Sequence, residues 1–133
     1  MPPKAFVVAP KDYAPALNLV GEQITVLASG EATESYEIFL QRGPEGSGPP
    51  PHSHPWDESF YVTKGEVAFG FGDELATVSA GTLVHVPGNT VHWFRFGTDG
   101  EMLSMTSPAG SAKMFADLAR ATAAANFDPG KLA

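Results

Sequence analysis

The chain contains no cysteine, so disulfides, thiolate metal sites and a cysteine nucleophile are excluded. It is also short of positive charge. Eight Lys and Arg against fifteen Asp and Glu leave a net charge of -7 and a pI near 4.9. Such a balance argues against nucleic acid and against anionic membrane as partners. No apolar run approaches the roughly 20 residues needed to cross a bilayer. The opening Met1-Pro-Pro-Lys-Ala-Phe-Val-Val lacks the longer apolar core of a secretory leader, so a cytoplasmic location is the expectation. Charged residues amount to only 17%, little for a surface that stands alone, and this points to a buried subunit face and a homodimer.

Apolar side chains are plentiful. A hydrophobic content of 43% with nine Phe supplies one core for 133 residues, and residues 1–133 read as a single domain. Short strand-like runs recur between Gly- and Pro-rich breaks: Ile24–Ala28, Ser35–Arg42, Ser59–Thr63, Glu66–Phe71, Leu75–Val78, Thr82–Val86, Val91–Phe96 and Met102–Thr106. In the second run Tyr36, Ile38 and Leu40 alternate with Glu37, Phe39 and Gln41, giving one apolar face. In Val91–Phe96, His92 shares a face with Phe94 and Phe96. About eight strands at hairpin spacing with no intervening helix predict an all-β, closed or double-sheet antiparallel fold over residues 35–106. Residues 1–20, with four prolines, read as an extended arm. Ser111 is a good N-cap, and Met114, Phe115, Leu118, Ala121 and Ala125 recur at helical spacing, predicting a C-terminal α-helix over Ala112–Asn126 (111–126 with its cap).

Histidine is scarce, which makes its placement informative: three of only four stand at His52, His54 and His92. In an extended segment residues i and i+2 point the same way, so His52 and His54 present two imidazoles side by side. Glu58 has the same parity and reaches toward them past the Pro55-Trp56 bend. Two His and one carboxylate suit non-heme iron, and equally zinc, nickel or manganese. A single histidine is more often a surface or hydrogen-bonded structural group than a ligand, so the joint spacing carries the inference. His85 fits no ligand position and reads as a surface or interface residue. Trp56 either guards a pocket mouth or packs under the loop, and Phe60, Phe69, Phe71, Phe94 and Phe96 are core first and pocket lining second.

The pattern Gly46-X5-His52-X-His54-X3-Glu58-X6-Gly65 resembles the first motif of the cupin superfamily at every defined position. The second cupin motif is matched by Gly81 and Pro87, with His92 standing where the fourth ligand is expected. Asn89 replaces its later glycine and Phe96 its terminal asparagine. The first change is mild, because Asn tolerates a left-handed turn, and the second touches no ligand. The resemblance implies a double-stranded β-helix, a jelly-roll barrel, holding one divalent metal ion (Fe, Ni, Mn or Zn) on His52, His54, Glu58 and His92. Within the superfamily, His52 to Val62 looks like small proteins related to quercetin dioxygenases. That implies oxygen-dependent cleavage of a small enolic or aromatic, flavonol-like substrate, with Glu58 as both ligand and catalytic base. Two alternatives stand beside it: a non-oxidative metal-dependent isomerase or cyclase, and a non-catalytic small-molecule-binding module.

Overall fold

The computed structural model describes residues 3–19 and 21–108. The helix expected at Ala112–Asn126 lies outside the described residues. A single 3-10 turn at Pro10–Asp12 is followed by β1 (Leu17–Leu19), β2 (Glu22–Ala28), a four-residue helix α1 (Gly30–Thr33), β3 (Glu37–Arg42), β4 (Asp57–Lys64), β5 (Glu66–Phe71), β6 (Glu74–Ser79), β7 (Leu83–Val86), β8 (His92–Phe96) and β9 (Glu101–Ser107). All strand pairs are antiparallel. They form a six-stranded sheet in the order β1-β2-β3-β9-β4-β7 and a three-stranded sheet in the order β6-β5-β8.

The two sheets face each other across an aromatic core. Phe60, Val62, Val84, Val86 and Met102 from the larger sheet pack against Val67, Phe69, Phe94 and Phe96 from the smaller. The Phe60 ring lies 5.1 Å from that of Phe69 and 5.7 Å from that of Phe94, close enough for tilted aromatic contacts. Each such fully buried ring contributes about 1.5–3 kcal/mol by leaving water. Leu19, Ile24 and Phe39 form a second cluster beside it. Gly65, the last residue of the first motif, makes the β4–β5 turn at φ 61°, where a side chain would strike the Thr98 carbonyl. Among the described residues no helix is long and apolar enough to cross a membrane.

The strands and their alternation follow the sequence reading, with three departures. The arm does not run free to residue 20, because Leu17–Leu19 pairs with Glu22–Ile24 as an edge strand. A short helix caps the β2–β3 connection, with the Ser29 side chain accepting from the Ala32 N–H. The third departure concerns β3, whose apolar face is not its buried one. Glu37, Phe39 and Gln41 point inward, while Ile38 and Leu40 lie half-buried on the outside. Polarity misleads there because the interior holds a hydrogen-bonded polar track. Gln41 Nε2 donates to Glu22 Oε1 at 2.5 Å, and Ser104 Oγ donates to Gln41 Oε1 at 2.5 Å. Polar groups with partners are accepted inside.

Candidate metal centre

His52 and His54 arrive on the loop that leads into β4, Glu58 is the second residue of β4, and His92 opens β8. The loop is joined to the small sheet by an isolated bridge. His52 N–H donates to the His92 carbonyl at 3.0 Å and His92 N–H returns to the His52 carbonyl at 2.9 Å. A second set of contacts ties the loop to the β7–β8 turn. Asn89 N–H donates to the His54 carbonyl at 2.7 Å, and Gly88 N–H donates to Asp57 Oδ1 at 2.8 Å. Asn89 holds φ 63°, the left-handed backbone expected where the motif has glycine. Gly88 lies so close to Pro55 that a Cβ would meet its carbonyl oxygen at 2.5 Å.

These constraints bring the four side chains together. One ring nitrogen from each of His52, His54 and His92 lies within 4.8 Å of the other two. Glu58 Oε1 stands 3.2 Å from His54 Nε2 and 3.5 Å from His92 Nε2. His92 and Glu58 are 2% and 5% exposed and His54 8%.

Each imidazole is oriented by a backbone carbonyl. His52 Nδ1 lies 3.0 Å from the Pro50 oxygen, His54 Nδ1 3.1 Å from that of Trp56, and His92 Nδ1 2.8 Å from that of Thr90. A carbonyl only accepts, so each Nδ1 carries a proton and Nε2 is the atom left to meet a ligand, standing beside the Glu58 carboxylate at His54 and His92. The Nδ1 contact is the outer hydrogen bond which metal-binding histidines use to fix tautomer and orientation. His92 Nε2 is buried without a hydrogen-bond partner, an orphan that a cation would satisfy. The donor set therefore fits a single divalent ion.

Electrostatics agree with a cation-ready pocket. Burial alone would raise the Glu58 carboxyl, but the imidazoles of His54 and His92 beside it hold it below the usual carboxylate range. Burial lowers His52, and the neighbouring His92 and His54 rings push the same way. Burial would also lower His92, yet Glu58 and the Thr90 carbonyl lift it above the ordinary imidazole value. An ionised carboxylate thus sits beside the imidazoles, a negative group ready for a cation.

His85 is exposed on the outer face of β7, its Nδ1 2.9 Å from Ser59 Oγ and apart from the cluster. Trp56, whose role the sequence left open, stacks on the His54 ring with centroids 4.4 Å apart and planes 10° from parallel. The supporting Asp57 carboxylate and the Pro50 and Thr90 carbonyls escaped the sequence reading, because nothing in residue type marks which backbone oxygen a ring will meet. A surface cavity of about 800 Å³, lined by Gly21, Arg42, Lys64, Gly65, Asp99 and Glu101, opens at the other end of β3, β4 and β9. It holds no histidine and its charges are mixed, with Lys64 Nζ 3.9 Å from Glu101 Oε2.

Comparison with known proteins gives a family and a fold. The family model described as Cupin domain matches residues 39–107. No curated protein sequence matches the chain. Solved structures similar to it include KdgF from Halomonas sp., with 19% identity and a TM-score of 0.71 over 83% of this chain and 99% of that one. Another is a predicted oxalate decarboxylase from Thermotoga maritima, at 22% identity and a TM-score of 0.68, covering 77% and 98%. A third is Streptomyces PAC13 with uridine, at 22% identity and a TM-score of 0.65, covering 80% and 84%. At such identities the likeness establishes the barrel, and the differing substrates of these proteins leave the chemistry to the site.

Proposed function

The chain belongs to the cupin domain family, and from that premise we propose that it is a single-domain, metal-dependent dioxygenase. Its substrate would be a small enolic or aromatic, flavonol-like molecule, in keeping with the likeness of His52–Val62 to quercetin dioxygenase-like proteins. One observation carries the metal reading: three carbonyl-anchored imidazoles converge with one nitrogen each inside 4.8 Å, two of them beside the buried Glu58 carboxylate, and His92 Nε2 has no hydrogen-bond partner.

His52, His54, Glu58 and His92 would hold the ion, which would be iron, nickel, manganese or zinc. Bound there, it would supply Lewis acidity toward a substrate oxygen and, if redox-active, access to dioxygen. The residues supply the rest. Glu58 is kept ionised by His54 and His92, so one of its oxygens can accept the enol proton of the substrate. The phenyl rings of Phe60, Phe69 and Phe94 behind the cluster exclude water from that transfer. We place the protein in the cytoplasm as a homodimer acting on a small molecule.

Oxygen consumption measured with flavonols, on protein loaded separately with iron, manganese, nickel and zinc, tests the proposal. Substrate loss should stop without oxygen and should be lowest with redox-inert zinc. Turnover that continues anaerobically and at full rate with zinc would replace this reading with a non-oxidative isomerase or cyclase. Glu58 favours that second reading as a base that needs no redox partner.

A further inference from the structure

The three histidines are not equally supported. His52 and His92 lie on the two sides of a backbone bridge, and their rings pack on each other at 4.4 Å. His54 lies beyond that bridge in irregular backbone, and its Nδ1 points forward to residue 56, whereas the other two reach back to residues 50 and 90. Its main-chain support is the one hydrogen bond from Asn89. Glu58 Oε1 meets its Nε2 at 3.2 Å and the His92 ring lies edge-on at 5.0 Å, while the two constraints on its other side come from a single residue. The Trp56 carbonyl takes the Nδ1 proton at 3.1 Å, and the Trp56 indole lies flat on the imidazole at 4.4 Å and 10°. Asp57 fixes that carbonyl from the next position by accepting from Gly88 N–H.

We infer that Trp56 is a positioning residue for His54, its indole setting the ring plane and its carbonyl the tautomer, so that Nε2 faces the cluster. The inference rests on the metal-centre reading only for its effect on affinity. A coordinated imidazole carries partial positive charge, and an aromatic face stacked on it is favourable beyond simple packing. The indole also covers the ring, leaving His54 only 8% exposed, and so limits its exchange with solvent. Phe keeps a stackable face and Leu does not, although both retain apolar bulk.

The test uses the full chain as Trp56→Phe and Trp56→Leu, with Trp93→Phe as a control. The first readout needs no metal: NMR of the His54 ring at about pH 8, above the ordinary imidazole range, with long-range proton–nitrogen correlations for the tautomer and ring relaxation for mobility. His54 should be Nδ1-protonated in every variant, because the residue 56 carbonyl is main chain and survives each substitution, and its ring should be rigid in the parent and in Trp56→Phe but mobile in Trp56→Leu. The second readout is Co2+ affinity by competition with a chromophoric chelator. Trp56→Leu should bind roughly tenfold more weakly, the scale of losing an outer partner of a ligand, and Trp56→Phe should stay within about threefold of the parent. Indole emission should respond to Co2+ in the parent and in Trp93→Phe and fail to respond in Trp56→Phe. A His54 ring in Trp56→Leu as rigid as the parent's overturns the inference whether or not metal binds. A parent that binds no Co2+ overturns the metal centre instead, and the ring spectrum still decides the role of Trp56.

Discussion

His92 and His52 would contribute one nitrogen each, but their losses leave different holes. His92 is 2% exposed beside Phe60, so His92→Ala also opens a cavity in the core, whereas His52 lies nearer the surface. Both substitutions should reduce bound metal in elemental analysis after dialysis, by at least the roughly tenfold to hundredfold typical of losing an outer hydrogen-bond partner. His92→Ala alone should also lower the melting temperature of metal-free protein. Full occupancy in both variants would contradict the ligand set. Glu22 offers a test of a different kind. Burial lifts its carboxyl to about 8, the Gln41 hydrogen bond opposes the rise, and the charge of Glu58 adds to it. The folded state therefore keeps a proton that the unfolded chain releases above about pH 4.5. Stability is fully present below that pH, falls as pH rises, and levels off above about 8. Glu22→Gln keeps an acceptor for Gln41 and removes the titration. Its melting temperature should match the parent near pH 4.5 and exceed it increasingly toward pH 8, at a limiting slope of about 1.4 kcal/mol per pH unit. An equal difference at both ends would show that Glu22 does not titrate in this way.

The ligand loop and the β7–β8 turn act as one element, held by Asn89 N–H to the His54 carbonyl, Gly88 N–H to Asp57, and the approach of Gly88 to Pro55. A methyl group at Gly88 would meet the Pro55 carbonyl oxygen at 2.5 Å, backbone against backbone, so the loop must move. Gly88→Ala should cost about 1–3 kcal/mol in chemical denaturation and weaken metal binding without touching a candidate ligand. Gly81→Ala, in a turn with no atom within 4 Å of its Cβ, should pay only for its positive φ of 93° and leave metal affinity alone. Affinity unchanged in Gly88→Ala would mean the loop holds its shape without this contact. Much of this element was legible in the chain: His52 and His54 two apart, Glu58 four further, and Asn89 where a left-handed residue was required. Strand positions were legible too, because turns at Gly65, Gly72 and Gly81 punctuate them. The facing of β3 was not. Alternation reports that a strand has two faces, and the inward one here carries Glu37 and Gln41 because the interior supplies them with partners.

At the scale of the whole molecule, the misread face of β3 becomes part of a larger surface. Register aligns Leu40, Leu103, Tyr61 and Leu83 in one row across β3, β9, β4 and β7, with Ile38, Met105, Ser59 and His85 in the row beside it. All eight are uncharged when histidine is neutral, and Tyr61, Met105 and Leu83 stand 46%, 44% and 63% exposed. Charge returns at the borders, in the row Arg42, Glu101 and Lys64 at one end and at Asp57 beside Ser107 at the other. Two copies carrying -7 each repel unless they meet where neither is charged, and this face meets that condition. Such a flat sheet stacks on its twin about 10 Å away with side chains interdigitated. The full chain should therefore sediment as a dimer at micromolar concentration. Tyr61→Glu with Leu83→Glu places carboxylates in the apolar row, and like charges facing each other in that setting should weaken association by at least about a hundredfold. Metal content should not change, because the adjacent Phe60 and Val84 point inward and Tyr61 and Leu83 do not. Sedimentation velocity on the parent and the double variant decides the matter: a monomeric parent, or a variant that stays dimeric while folded, removes this face as the meeting surface of two copies.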